Sequence, residues 1–156
     1  MKDTNTINNC IHPKIRLCFD TQEKFFGPGV CELLELIDET GSVQKACVRM
    51  ELSYSKGSKM LKKLDQVIGI SIVERWTGGA GGGGARLTEA GQKLVKTYRK
   101  METEVQKAAE DAFYKYYGED FRNAITINSS ITEESVISLE KAIIDIQTGG
   151  TTDEAD

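Results

Sequence analysis

Apolar residues recur at helical spacing in three early segments and alternate in two others. Val30, Leu33, Leu34 and Ile37 share one side of a helix, with Glu32, Glu35, Asp38 and Glu39 outward. Gly41 ends that pattern, and Ser42 is placed to cap a short second helix with Val43, Ala46, Cys47 and Met50 inward. Glu51 and Leu52 make a tight connection. Ser53 then caps a third helix to about Ile68, with Gly57, Met60, Leu61, Leu64 and Ile68 facing the core. Before these helices, Ile15, Leu17 and Phe19 alternate with Arg16 and Cys18, which predicts a half-buried strand over Lys14–Asp20. Phe25, Phe26 and the turn Gly27-Pro28-Gly29 follow, and that turn suits a helix start. After the helices, a β-prone run at Ile72–Trp76 enters a glycine-rich loop and returns through Ala85, Arg86 and Leu87, as a hairpin would.

From Thr88 the pattern is helical to about Tyr116 or Tyr117, with Gly118 a natural stop. Leu94, Tyr98, Met101, Val105, Ala108 and Ala112 follow a heptad spacing of fours and threes. A helix of that size spans roughly 40 Å, more than a small domain needs for its own core, so the stripe predicts dimerisation. Packing of the helix back over its own domain is the competing outcome. Past Gly118 the pattern weakens: a strand within Phe121–Ser129, carrying Ala124, Ile125 and Ile127, then an amphipathic helix from Thr132 with Val136, Leu139, Ile143 and Ile146 inward. The expected organisation is a flexible lead (1–13), a winged helix-turn-helix (14–88), a long linker and dimerisation helix (89–117), a short acidic strand–helix appendage (118–147) and a disordered tail (148–156). The fold class is mainly α with a small β-hairpin.

Composition adds a bias of charge. The 156 residues are 39% hydrophobic and 28% charged, which suits a soluble globular protein. No apolar run approaches the roughly 18 residues of a membrane span. The opening MKDTNTINNC lacks the apolar core of a signal peptide, so a cytoplasmic location is expected. Residues 1–100 carry 16 Lys and Arg against 11 Asp and Glu (+5), and residues 101–156 carry 4 against 13 (−9). A basic body suits an anionic partner. Cys10, Cys18, Cys31 and Cys47 show no C-x-x-C spacing, and His12 is the lone histidine. They read as small hydrophobes in a reducing compartment, with no metal or other cofactor implied.

Six of the fifteen glycines lie in the loop between Trp76 and Ala85. Such a loop could cradle a phosphate or form the tip of a wing. A Walker-type loop needs Lys and then Ser or Thr after its last glycine, whereas Gly84 is followed by Ala85 and Arg86. A dinucleotide fingerprint needs a second strand where this chain continues as helix. The wing reading remains. The third helix turns Ser55, Ser58, Lys59 and Lys62 outward with no carboxylate among them. Small hydroxyls approach base edges in a major groove, and lysines reach phosphates or guanine.

The candidate DNA-binding residues are therefore Ser53 as cap, Tyr54, Ser55, Lys56, Ser58, Lys59, Lys62 and Lys63 on the helix, and Arg75, Gly82, Gly83 and Arg86 on the wing. The expected function is a dimeric, sequence-specific transcriptional regulator binding double-stranded DNA. The alternative is a protein-interaction module that keeps the winged fold, supported by the −9 charge of residues 101–156. An enzyme is not expected, because no nucleophile, base and orienting residue cluster in the pattern.

The stretches Gly27-Pro28-Gly29, ELLELIDETGS (Glu32–Ser42), LSYSK (Leu52–Lys56) and VERWTGGAGGGGARLTEAG (Val73–Gly91) together resemble the N-terminal domain of the ModE family of molybdate-dependent regulators. More broadly they are similar to LysR-type winged helix-turn-helix domains, in which GS opens the second helix and LTEAG the linker helix. The resemblance covers about Lys14 to Tyr116. It implies a dimeric DNA-binding domain, with the recognition helix in the major groove and the wing on the backbone or minor groove. ModE proteins normally continue into paired oxyanion-binding Mop-type domains. Only 38 residues follow Gly118, a helix among them, so molybdate sensing is not carried over and the effector is left open.

Overall fold

The computed structural model describes residues 11–124 and, beyond them, positions 137, 140, 141, 143 and 144. The chain divides into a larger unit, Arg16–Val105, and a smaller one formed by residues up to Ile15 together with those from Gln106 onward. The larger unit is a winged helix-turn-helix.

Helix α1 (Pro28–Thr40) begins with proline at its first turn, where a missing N–H costs nothing, and buries Val30, Cys31, Leu33, Leu34 and Ile37. Gly41 closes it at φ 67°, donating its N–H to the Ile37 carbonyl at 2.9 Å. Ser42 starts α2 (Val43–Arg49) at once, its Oγ accepting from the Lys45 N–H at 3.3 Å. Ser53 does the same for α3 (Tyr54–Ile68), accepting from the Lys56 N–H at 3.2 Å. Helices α2 and α3 meet at Gly57, where a Cβ would stand 2.3 Å from the Cys47 Sγ. Gly57→Ala is therefore expected to destabilise the domain by about 1–3 kcal/mol through overpacking, although alanine favours helix by roughly 1 kcal/mol. Thermal melting checks this, and an unchanged or raised midpoint would show that the Cys47 side chain yields freely.

The wing pairs β3 (Val73–Trp76) with β4 (Gly84–Leu87) antiparallel, Glu74 opposite Arg86 and Trp76 opposite Gly84. Its base is tied down at three points. The Asp65 carboxylate of α3 accepts the Ile72 N–H at 3.0 Å, the Gly41 carbonyl accepts the Ala85 N–H at 2.9 Å, and the Ile72 carbonyl accepts the Thr88 N–H at 2.9 Å. Thr88 then caps α4 (Glu89–Ala124), accepting from the Gly91 N–H at 3.1 Å.

Three sequence expectations change. The leading strand shrinks to β1 (Phe19–Asp20), which pairs antiparallel with β2 (Lys24–Phe26) in a short hairpin. Aromatic packing governs this segment: Phe26 is fully buried, and Phe19 and Phe26 lie 5.7 and 5.0 Å from the Tyr98 ring, both edge-on to it. Leu17 gives its carbonyl to the Tyr98 hydroxyl at 2.9 Å, so it makes its bond with a side chain instead of a strand ladder. Gly118 does break α4 (φ 76°, ψ 170°), but the backbone is helical again through Ala124, so Phe121–Ala124 are not strand. The remainder of that segment, with the extreme lead and the tail, lies outside the described residues. Positions 137, 140, 141, 143 and 144 are helical, inside the helix expected from Thr132.

Among the cysteines, Cys31 and Cys47 are buried in the core and Cys18 is half-buried. Burial pushes the Cys31 thiol up to about 12, with Glu35 adding to the effect, which keeps it protonated and apolar in character.

A candidate nucleic-acid interface

The exposed face of α3 is a row of Ser55, Lys59, Lys62 and Gln66. These residues fall within about 60° of one another at 100° per residue, opposite the buried Gly57, Leu61 and Leu64. Ser58 is half-buried at one margin, and Lys56 is exposed at the other. Tyr54, 52% exposed, stands on the first turn. The Ser53 hydroxyl is occupied as the cap, which stabilises the N-terminal end of α3. Gln66 is neither a cation nor a hydroxyl and so falls outside the sequence-derived candidates, although the same rotation places it on this face. Its amide offers both donors and an acceptor, the pattern that pairs with adenine.

Lys63 differs from its neighbours. Its Nζ is 2.7 Å from the Glu23 carboxylate in the turn between β1 and β2. The hydrogen bond from Lys63 holds the Glu23 carboxyl below the usual carboxylate range. Both side chains are more than a third exposed, so the pair contributes roughly 0–1 kcal/mol, and what sets Lys63 apart is its position off the row.

On the wing, strand alternation separates the two arginines. Arg75 shares a face with core-directed Val73 and Ala85, and its charge opposes the upward push that burial gives the Cys47 thiol between α2 and α3. Arg86 lies on the other face, 2.8 Å from Glu74 and 6.0 Å from the Trp76 ring centroid. An exposed pair of this kind contributes roughly 0–1 kcal/mol, so a phosphate can displace Glu74 at small cost. Two of the glycines answer to local packing: a Cβ at Gly83 would stand 2.7 Å from the Trp76 carbonyl, and one at Gly84 would stand 2.3 Å from its indole. Gly82 turns the tip at φ 78°, its N–H donating to the Gly79 carbonyl at 3.1 Å.

The heptad stripe divides. Tyr98 is 1% exposed inside the domain, and Leu94 packs against the same core. Tyr98 cannot meet a second chain without unpacking, whereas Leu94 is half-buried. Met101 is 43% exposed and Val105 half-buried in the larger unit; Ala108 and Ala112 are exposed in the smaller one. The competing outcome, helix against its own domain, thus describes the first turns of α4. Sequence reading also missed an open groove of about 540 Å³ beside α2, lined by Thr40, Ser42, Gln44, Lys45, Val48 and Arg49. Val48 lies off the inward stripe and is exposed.

With this geometry in place, residues 31–92 match the bacterial regulatory helix-turn-helix proteins of the lysR family. The chain is 32% identical over 128 residues to the DNA-binding transcriptional dual regulator ModE of Escherichia coli (strain K12), covering 81% of this chain and 46% of the relative. It is 34% identical over 96 residues to the transcriptional regulator ModE of Yersinia pestis, covering 61% of this chain and 36% of the relative. A similarity at 36% identity over 75 residues extends to the molybdenum-pterin-binding protein MopB of Rhodobacter capsulatus, covering 48% of this chain and 28% of that one. The chain spans less than half the length of these relatives. A crystal structure of a CbnR_DBD–DNA complex overlaps 56% of this chain and 94% of that one, at 17% identity and a TM-score of 0.46, a likeness too slight to carry weight. Residues 31–92 thus form a helix-turn-helix domain of the lysR family, within a region homologous to the ModE transcriptional regulators.

Proposed function

We propose that the chain is a sequence-specific transcriptional regulator that binds duplex DNA as a homodimer. Residues 14–88 form the reading head, and residues 89–117 supply the dimer contact through Met101, Val105, Ala108 and Ala112. The exposed row Ser55, Lys59, Lys62 and Gln66 on a helix capped at its leading end carries this reading. That face has neutral groups short enough to read bases and cations long enough to reach phosphates, with no carboxylate to repel the backbone. In this account Tyr54, Ser58 and Lys56 border the row, Arg75 and Arg86 flank the wing, and Gly82 and Gly83 let its tip lie close to the duplex. The effector is left unassigned.

Lys59→Ala tests the reading. If Lys59 contacts bases, the variant loses about 1–3 kcal/mol on the preferred site and less on random duplex. If it contacts phosphate alone, both affinities fall together and the salt slope becomes shallower by about 0.9. No change on either duplex would remove α3 from the interface. That result would favour the protein-interaction module, for which the −9 charge of residues 101–156 is the supporting feature.

A further inference from the structure

We propose that Arg99, held between Glu35 and Glu102, is the positioning residue that fixes the direction of α4 against the helix-turn-helix. It thereby sets the separation of the two half-sites a dimer recognises. This rests on the dimeric DNA-binding reading above.

Besides the buried Tyr98, two places hold the start of α4. The first is its N-terminus, where Thr88 is bonded to the Ile72 carbonyl and a Cβ at Gly91 would stand 2.4 Å from that same oxygen. This close approach behaves as a pivot: it fixes a point and leaves the direction free. The second lies two turns on. Arg99 Nε and Nη2 meet both oxygens of Glu35 on α1 at 2.8 and 2.7 Å, while Nη1 meets Glu102 at 2.6 Å. The neighbouring Tyr98 hydroxyl, donating to Leu17, lies 3.3 Å from the other Glu102 oxygen. The hydrogen bonds from Arg99 hold the Glu35 carboxyl below the usual carboxylate range, so the clamp is charged at neutral pH.

Leu94, Val95 and the buried Tyr98 press one side of α4 onto the core, and the fork from Arg99 to Glu35 adds a directional contact to α1 on the same turn. A guanidinium forked onto a carboxylate is planar and directional, and it tolerates little rotation. The geometry needed is small. From Gly91 to Val105 the helix extends about 20 Å, so a tilt of about 10° moves its far end by about 3.5 Å, close to one base-pair step. A dimer joined through Met101 and Val105 would transmit that tilt to the spacing of its recognition helices. Half-site spacing is the quantity such a dimer reads geometrically. Glu35 and Arg99 are each more than a third exposed, so the pair adds little to overall stability and acts by shifting the population of nearby helix directions severalfold.

The test is selection of duplexes from a randomised DNA library by the full chain and by Arg99→Met, which keeps an apolar stem without the fork. The wild type is expected to enrich paired half-sites at one separation. Arg99→Met is expected to enrich the same half-site over several separations differing by one or more base pairs, with its melting temperature nearly unchanged. Arg99→Lys, able to keep a single charged contact, should fall between them. Glu35→Gln, which leaves Arg99 in place, should broaden the spacing too and serves if Arg99→Met does not fold. A single unchanged separation in folded Arg99→Met overturns the proposal alone. A wild type that enriches only isolated half-sites, or none, overturns the dimeric reading and this proposal with it.

Discussion

Tyr98→Ala is expected to destabilise the larger unit by about 3–5 kcal/mol, the range for deleting a buried aromatic ring. The ring is 1% exposed, edge-on to Phe19 and Phe26, and its hydroxyl donates to the Leu17 carbonyl. Burial pushes that hydroxyl up to about 12, so it remains a donor across the physiological range. A loss of this size lowers the melting midpoint of a domain of about 100 residues by more than roughly 12 °C. Tyr98→Phe keeps the ring and should cost only about 1 kcal/mol. Thermal denaturation of the two variants separates ring from hydroxyl. If Tyr98 instead faced a second chain, Tyr98→Ala would weaken self-association while the melting of dilute protein stayed near that of the wild type.

Joint replacement of Lys59 and Lys62 by alanine is expected to produce the largest change in DNA affinity. Both lysines are exposed, on the row opposite the buried face of α3, and neither has an ion-pair partner among the described residues. Loss of two backbone contacts would make the salt slope shallower by about 1.8, and affinity at about 0.15 M salt should fall roughly 10- to 100-fold. Lys63→Ala is the internal comparison. Lying half-buried and off the row, it should change binding by less than about twofold. Anisotropy titrations at several salt concentrations measure both. A Lys63→Ala loss half as large, in free energy, as that of the Lys59, Lys62 pair would mean that net charge alone governs binding, with no defined face.

The helix-turn-helix was readable in the sequence because its signals are local. Ser42 and Ser53 stand where caps belong, Gly41 where a helix must end, and Leu61 and Leu64 on the apolar stripe. What sequence order hides is which partner each residue meets. Leu17 lies 81 positions from Tyr98, and that bond converts most of an expected strand into a short hairpin. Glu23 lies 40 positions from Lys63 and gives that candidate phosphate contact an ion-pair partner. The heptad pattern identified an apolar stripe but not its occupant, since core packing and self-association demand the same side chains. Gly83 and Gly84 illustrate the same limit: their number suggested a ligand surface, while their nearest neighbour is Trp76.

The central claim is that α3 reads sequence. It is tested most directly by titrating the full chain against the duplex it enriches most and against a scrambled duplex of equal length, both at about 0.15 M salt. The account predicts dissociation constants differing by at least about a thousandfold. Equal binding to the two duplexes by folded protein would contradict it.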